Sequence, residues 1–596
     1  MKKGKAGKLL VTTALTAAMA ASMLAGCGSK GNDSETTGKA SESDVTASKE
    51  DTLVLDVFDD QANFQGTQSG WYGEYIKKKF NIELNIIAPN VAGGGDTLFQ
   101  TRSANGDLGD IIITKLDGDR LKDLVTAGLV MDMTPYMDNC KNLSRYQVAI
   151  DEATKLAGQD GVWAIPSEVS TLSATDPCDA QEPTNAPSLR WDVYGEIGYP
   201  EMKNMEDLLD TLEKMQAQAR KDEGSDDIYA MSLFKDWDGE IMQNAGALTS
   251  LYGYQQLGFC MTKVDGSDIQ SATDKDGIYV NSLKFLYEAN QRGLVDPEST
   301  TQDFTTMQTK YKDGKILYSL WPWLGAGVYN TDEHMAEGKG FATATIDDMQ
   351  CLEYGCMPYG KMGTGIMIGS GAEQPERIAE FIDWLYSPEG VEISSIINAT
   401  SCGPEGLTWE MKDGKPVLTD FGIQAFVKND QEMDITDEWG GGSWIDGQSA
   451  LNYKSVGIVD CDPDTGMCYN YKTWEDYQTK TETALSKDWS EHNGGALNAI
   501  SYLSENNKLL VLPGSTYATP AYDTDISAIK EQCKQILVEY SWKMVFAKDE
   551  SEFNSFLDEM ITTVDGLGYQ DVLAVDKQNC EDQNKAFEEA KAVSAN

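Results

Sequence analysis

Between residues 53 and 130 the apolar positions alternate between two periods. Leu53-Val54-Leu55-Asp56-Val57 and Ile82-Glu83-Leu84-Asn85-Ile86 read as strands, and Asp110-Ile111-Ile112-Ile113 as a buried one. Trp71, Tyr75, Ile76 and Phe80 fall near one face of an intervening helix. The break Gly93-Gly94-Gly95-Asp96 opens a second helix, and a third turns Leu121, Leu124 and Val125 inward with Gly128 as its C-cap. Repeated βα units predict a mostly parallel, doubly wound sheet with ligands at the carboxyl ends of its strands. From Asp525 onward Ile526, Ile529, Cys533, Ile536, Leu537 and Tyr540 share a helical face, so closing helices are expected to pack on the body. Between about 430 and 520 the pattern is irregular.

The N-terminal pattern is of another kind. Lys2, Lys3, Lys5 and Lys8 precede an uncharged stretch from Leu9 to Leu24, which ends in Leu24-Ala25-Gly26-Cys27. A basic region, a short apolar region and small residues before a cysteine describe a lipoprotein signal peptide over residues 1–26, with Cys27 as the lipidated first residue of the mature chain. The stretch is short for a membrane-spanning helix, which needs about 20 strongly apolar residues. Two acyl chains hold a protein firmly where one holds it marginally. Residues 27–50, rich in Ser, Thr, Gly, Lys and acids, read as a flexible tether spanning about 25 to 30 Å. No later segment approaches 18 uncharged apolar residues, so the body is expected to be soluble.

A chain of 596 residues predicts two or more domains. Its 96 acids against 48 bases give a net charge of −48, which argues against nucleic acid as a partner. Export permits disulfides, and Cys351/Cys356 and Cys461/Cys468 are the local candidates, with unpaired buried thiols as the alternative. His334 and His492 stand too far apart in sequence for a local zinc motif. No G-x-x-x-x-G-K-[ST], G-x-S-x-G or H-E-x-x-H occurs, so the chain carries neither a P-loop nor the commonest hydrolase signatures. The run Gly363 to Gly369 has the wrong spacing for a dinucleotide loop and reads as a strand near a hinge. Asp460, Asp462 and Asp464 alternate as calcium ligands do, but Gly466 and Tyr471 fall where an EF-hand needs other residues, so a solvated turn is expected.

Several stretches together resemble a known family. They are WYGEYIKKKFNIELNII (71 to 87), GDLGDIIIT (106 to 114), GVWAIP (161 to 166), LRWDVYGEIGYP (189 to 200), VDPEST with YKDGK (295 to 315), PERIAEFIDWLYSPEGVE (375 to 392), GPEGLTWEMKDGKP (403 to 416) and WKMVFAKDESEFNSFLDEM (542 to 560). Their order, with the lipobox, is similar to the family 1 extracellular solute-binding proteins of ABC importers, in particular the LipO/LplA-like lipoproteins. The resemblance implies an α/β, two-lobed periplasmic-binding-protein-like fold of type II, with hinge-linked doubly wound lobes and an inter-lobe cleft. It implies a cell-membrane receptor, lipid-anchored on the extracytoplasmic face, monomeric and without a cofactor. Such a receptor captures a carbohydrate and delivers it to permease subunits driven by a separate ATPase. The lobes are expected over 51–165 and 311–370 for the first, and 166–310 and 371–596 for the second. The irregular region 430 to 520 matches the family least and is read as an insertion. A peptide receptor and a surface glycoside hydrolase are the alternatives.

An oligosaccharide cleft needs flat aromatic faces and planar polar side chains. Asp59, Asn63 and Gln65 follow the first strand, where an open sheet offers contacts. Trp163, Arg190, Trp191, Asp192, Trp237, Asp238, Trp321, Trp323, Trp439 and Trp444 complete the candidate set. Each Trp has a core packing alternative, which is preferred for Trp384. Pro and Gly neighbours favour loops at Trp321, Trp323, Trp439 and Trp444.

Overall fold

The alternating periods of the first third of the chain become one six-stranded sheet in the computed structural model, which describes residues 51–593 except 93, 397–400 and 431. The expected leader, Cys27 and the tether lie outside the described residues. The strands are β1 (Leu53–Asp59), β2 (Gly66–Thr67), β3 (Ile82–Ile87), β4 (Ile111–Thr114), β5 (Ile165–Ser167) and β6 (Lys361–Ile368), in the order β2-β3-β1-β4-β6-β5. β1 pairs in parallel with β3 and β4, setting Leu55 opposite Leu84 and Phe58 opposite Ile112.

The expected parallel arrangement is confined to that central trio. β6 runs antiparallel to β4 and β5, and β2 antiparallel to β3. The reason is where β6 enters: Gly365 lies opposite Thr114 at the carboxyl end of β4 and Ile368 opposite Ile111, so the returning chain runs back down the sheet. The run from Gly363 to Gly369 is thus a strand. Successive residues of the buried strands feed opposite faces. Ile111, Ile113, Ile366 and Ile368 join Trp71, Ile76, Phe381 and Trp384 on one side, while Ile112 and Met367 join Phe58, Leu121 and Leu124 on the other.

A second large core gathers residues 186 to 351 and 485 to 580. Its sheet is short: Ser188–Arg190 lies between Tyr318–Ser319 and Phe341–Thr343, antiparallel to both. Single parallel bridges, Tyr229 to Ile316 and Met231 to Val295, widen it. The helix Met205–Glu223 packs on this core, capped by Asn204, which accepts from the N–H groups of Glu206 and Asp207. Three closing helices, Thr524–Val545, Glu550–Leu567 and Tyr569–Ala592, bring Cys533, Leu537, Val564 and Cys580 into it.

The assignment of segments to cores differs from the sequence expectation. Leu317, Tyr318, Leu320 and Ile346 join the second core, and only β6 carries the chain back to the first. Residues 378 to 396 and 435 to 469 then stay with the first core. The amphipathic helix Pro375–Leu385 explains this, because Ile378, Phe381, Ile382 and Trp384 cover the first sheet.

The described residues belong to one compact unit, and the segments that cross between the cores are bound backbone to backbone. The Val169 N–H donates to Ser455 (3.1 Å), Cys178 to Tyr354 (2.9 Å), Cys356 to Asp176 (2.9 Å), Gly355 to Leu512 (2.8 Å) and Gly514 to Ala174 (3.0 Å). The strand Cys351–Tyr354 pairs in parallel with Leu509–Leu512. A Cβ on Gly355 would sit 1.9 Å from the Ala174 oxygen, and one on Gly514 1.9 Å from the Cys356 oxygen. The candidate disulfides are free thiols here. Cys351 turns toward Met349 and Cys356 toward the Pro177 carbonyl, while Cys461 and Cys468 oppose each other across an antiparallel bridge.

Gly355→Ala is expected to cost about 1 to 3 kcal/mol, the penalty of overpacking against fixed backbone. Gly363→Ala, with nothing within 4 Å of its Cβ, leaves stability unchanged. Chemical denaturation midpoints of the two variants check this, and equal midpoints would remove the steric argument.

Candidate functional site

At the carboxyl end of β1 the chain turns sharply, and Asp59 organises the turn. Its carboxylate is fully buried and accepts from the N–H groups of Gln61 and Asn452, both at 3.0 Å. Burial pushes it up to about 7 against those bonds. Asp59 was expected to touch solute; instead it holds the loop. Asp60, the next residue, accepts from the Thr114 hydroxyl at 2.6 Å, and its other oxygen is buried without a partner. Gln65 accepts from the Ala88 N–H at 2.8 Å, and the Asn452 side chain donates to the Gln61 carbonyl at 2.8 Å. Asn63 and Gln65 are exposed there.

The second core carries an aromatic shelf. Trp237, in the turn after Phe234, lies 5.7 Å from Trp321, 5.9 Å from Trp323 and 4.7 Å from Phe304, stacked on the last at 26°. Phe234 closes the cluster from below, edge-on to Trp237 at 4.9 Å. Trp321 is extended and Pro322 starts the helix that carries Trp323, so both indoles leave the backbone where the chain changes direction. Trp237 remains 39% and Trp323 47% exposed, which is unusual for such large apolar rings. Asp236 accepts from the Phe304 N–H at 2.8 Å, fixing the shelf's edge.

Indole N–H groups separate this shelf from most of the other tryptophans. Those of Trp71, Trp163, Trp191, Trp384, Trp409, Trp474, Trp489 and Trp542 donate to carbonyls or carboxylates of the protein. No bond of the indole N–H is described for Trp237, Trp321 and Trp323, nor for Trp439 and Trp444, of which the first lines a separate cavity and the second is buried. Three flat faces with spare donors can stack on pyranose C–H surfaces and reach their hydroxyls.

The other candidates are structural. Arg190 is buried and clamps Asp192 with two bonds of 3.0 and 2.7 Å, while its guanidinium lies 4.1 Å over the Tyr329 ring. Trp191 is buried and donates to Asp488 at 2.7 Å. Asp238 has both oxygens engaged, by the Gln243 N–H at 2.9 Å and the Trp542 indole at 2.6 Å. Trp163 is half-buried and tied to the Gln159 and Asp160 carbonyls. Trp444 is 1% exposed and stacks on Trp71 at 5.2 Å and 5°, so the glycine loop before it folds inward. Trp439 lines a separate cavity of about 480 Å³ with Tyr75, Trp409, Glu392 and Asp462. Asp460 is likewise no solvated turn residue: it is buried and accepts from Ser170 Oγ (2.8 Å) and the Thr171 N–H (3.1 Å), while Asp462 binds Asp464 N–H and Thr465.

The shelf is open, and the cavity at the crossing segments, about 370 Å³, contains none of the candidate tryptophans. Sequence reasoning missed Phe304 and Asn452. What places them is long-range, since Phe304 stacks on Trp237 and Asn452 bonds Asp59, and no local pattern records either contact.

Residues 180–392 match the family model "Bacterial extracellular solute-binding protein", the resemblance that the motifs led us to expect. No curated protein matches. Among solved structures it is similar to a Bifidobacterium longum infantis solute-binding protein described as HMO-binding and ABC-transporter associated, at 12% identity and TM-score 0.52, covering 89% of this chain and 99% of that one. It is similar to the Streptococcus pneumoniae ABC-transporter substrate binding protein FusA in complex with kestose, at 13%, TM-score 0.51, 89% and 99%. It is also similar to the alginate-binding protein AlgQ2 without calcium ion, at 15%, TM-score 0.50, 89% and 99%. The fold is the type II periplasmic-binding-protein-like fold.

The buried acids define a pH dependence. Burial, with the charges of Glu405, Asp462 and Glu389, raises Glu392 to about 8, and burial raises Asp460 to about 6. Unfolded carboxyls titrate near 4. Lowering the pH from 8 toward 5 therefore adds protons to the native state and not to the unfolded one, so stability rises as pH falls and is lost as pH climbs through the folded values. Calorimetry is expected to show a higher Tm at pH 6 than at pH 8; the reverse order would contradict this assignment.

Proposed function

We propose that this chain is the lipid-anchored, extracytoplasmic receptor of an ABC importer, which takes up an oligosaccharide and passes it to permease subunits powered by a separate ATPase. The single observation that carries the solute class is the shelf on which Trp237 and Trp323 stand exposed beside a half-buried Trp321, with no described hydrogen bond on their indole N–H groups. The sugar ligands named for the structural neighbours, kestose and milk oligosaccharides, agree with it. The anchor rests on Leu24-Ala25-Gly26-Cys27.

In this reading the two cores are lobes that close over the solute. The loop held by Asp59 and Asn452 supplies polar groups, among them Asp60, Asn63 and Gln65, and the shelf supplies stacking. Contacts made only in the closed state shift the open-to-closed equilibrium, so affinity reports both stacking and closure. Turnover is not part of the reading, since Asp238 beside the shelf has both oxygens committed and is poorly placed to donate a proton.

The test is a thermal-shift screen of residues 47–596 against kestose, longer fructans, milk oligosaccharides, alginate fragments and peptides, with each hit recovered and sized. A sugar that raises Tm and returns intact is the expected result. Trp323→Ala and Trp237→Ala are each expected to weaken that sugar about tenfold, near 1.4 kcal/mol, with the unliganded Tm nearly unchanged. Unaltered affinity in both variants would sink the shelf, shortened sugar would make the protein an enzyme, and hits confined to peptides would overturn the solute class.

A further inference from the structure

Where the outgoing and returning crossing segments meet, Cys178, Asp179 and Glu353 converge. One ligand atom from each lies within 4.8 Å of the others. Backbone bonds set the register, since the Cys178 N–H donates to the Tyr354 carbonyl at 2.9 Å and Pro177 bridges Gly355. Glu353, third in the strand Cys351–Tyr354, is 0% exposed, and neither of its carboxylate oxygens has a hydrogen-bond partner. Among the described residues no other carboxyl group has both oxygens in that state. A buried carboxylate without a partner is costly and needs a counter-charge or a proton.

We propose that Cys178, Asp179 and Glu353 form a binding site for a divalent metal ion of the zinc type, clipping the outgoing segment to the returning one. A thiolate with two carboxylates offers three protein ligands of mixed softness. Zinc accepts sulfur and oxygen together, whereas calcium and magnesium favour oxygen alone. The Thr184 hydroxyl donates to Asp179 at 3.0 Å, an outer bond of the kind that orients a ligating carboxylate. Cys178 and Tyr354 line the cavity of about 370 Å³, which provides an entry path and room for a water as fourth ligand.

A bound dication supplies the counter-charge that the unpartnered Glu353 carboxylate lacks, and it displaces the thiol proton, together with any proton on Glu353, to solvent.

The test uses residues 47–596, kept reduced and stripped with chelator, titrated with Zn²⁺ by calorimetry and with Co²⁺ by absorption. A single tight equivalent, a raised Tm and a thiolate-to-cobalt charge-transfer band are expected. Cys178→Ser should remove the band, and Glu353→Gln should weaken Zn²⁺ at least tenfold. Because Glu353→Gln replaces an unpartnered buried carboxyl group by a neutral group of the same shape, its metal-free Tm is expected to hold or rise, which separates loss of the site from misfolding. Absence of tight binding, a cobalt spectrum without the thiolate band, or an unchanged response in both variants would overturn the proposal, the last pointing to diffuse binding by the surface acids. Sugar binding by the stripped protein is measured separately, so either result leaves the receptor reading to its own test.

Discussion

The structure depends on a crossing in which backbone meets backbone. At Gly355 and Gly514 a side chain has no room, because the carbonyls of Ala174 and Cys356 occupy the places where Cβ atoms would be. Segments from four distant parts of the chain exchange hydrogen bonds there, and the two apolar cores are joined through them. Such a junction is stiff against sliding, since every displacement breaks paired backbone groups. The only chain that returns to the first sheet, β6, starts from this junction, and that origin gives it its antiparallel direction.

A second constraint comes from charge. A chain with 96 acids keeps several of them inside, and the buried ones share a task. Asp59 satisfies the N–H groups of Gln61 and Asn452, Asp383 those of Asn142 and Leu143, Asp460 that of Thr171 and Asp576 that of Phe259. Irregular backbone cannot pair with itself as a strand does, so its donors need acceptors from elsewhere. The stretch near residue 450 is held to the first sheet in this way, by Asp59 and by Gln68, which accepts from the Ala450 N–H. Raised carboxyl pKa values are the other side of the same arrangement.

Legibility in the sequence followed the range of the interactions. β1, β3, β4 and the closing helices were readable because their period is local and their apolar faces are continuous. The second sheet was not, since strands of two or three residues such as Tyr318–Ser319 have no measurable period. The division into cores was misjudged for 311–349 and 371–475, because a strand's partner is not written in its own residues. Among the candidate site residues, Trp321 and Trp323 were chosen through their proline, and the same reasoning chose Trp444, which is buried. The difference is long-range: Gly440, Gly441 and Gly442 all have positive φ and turn the chain back, so Trp444 meets Trp71.

Exposure of the shelf is the step that links fold to function. Trp237 and Trp323 leave large apolar area in water, and each square ångström left uncovered forgoes about 25 cal/mol of stabilisation. The chain has the means to avoid this, as seven other tryptophans show by burying their rings and bonding their N–H groups. The shelf is moreover rigidly built: Phe234 supports it, Phe304 stacks beneath Trp237, and Asp236 fixes the Phe304 backbone. Rings held in place before a partner arrives lose little freedom on binding, so the proposed flat-faced solute would recover, by covering them, the stability forgone in the free protein.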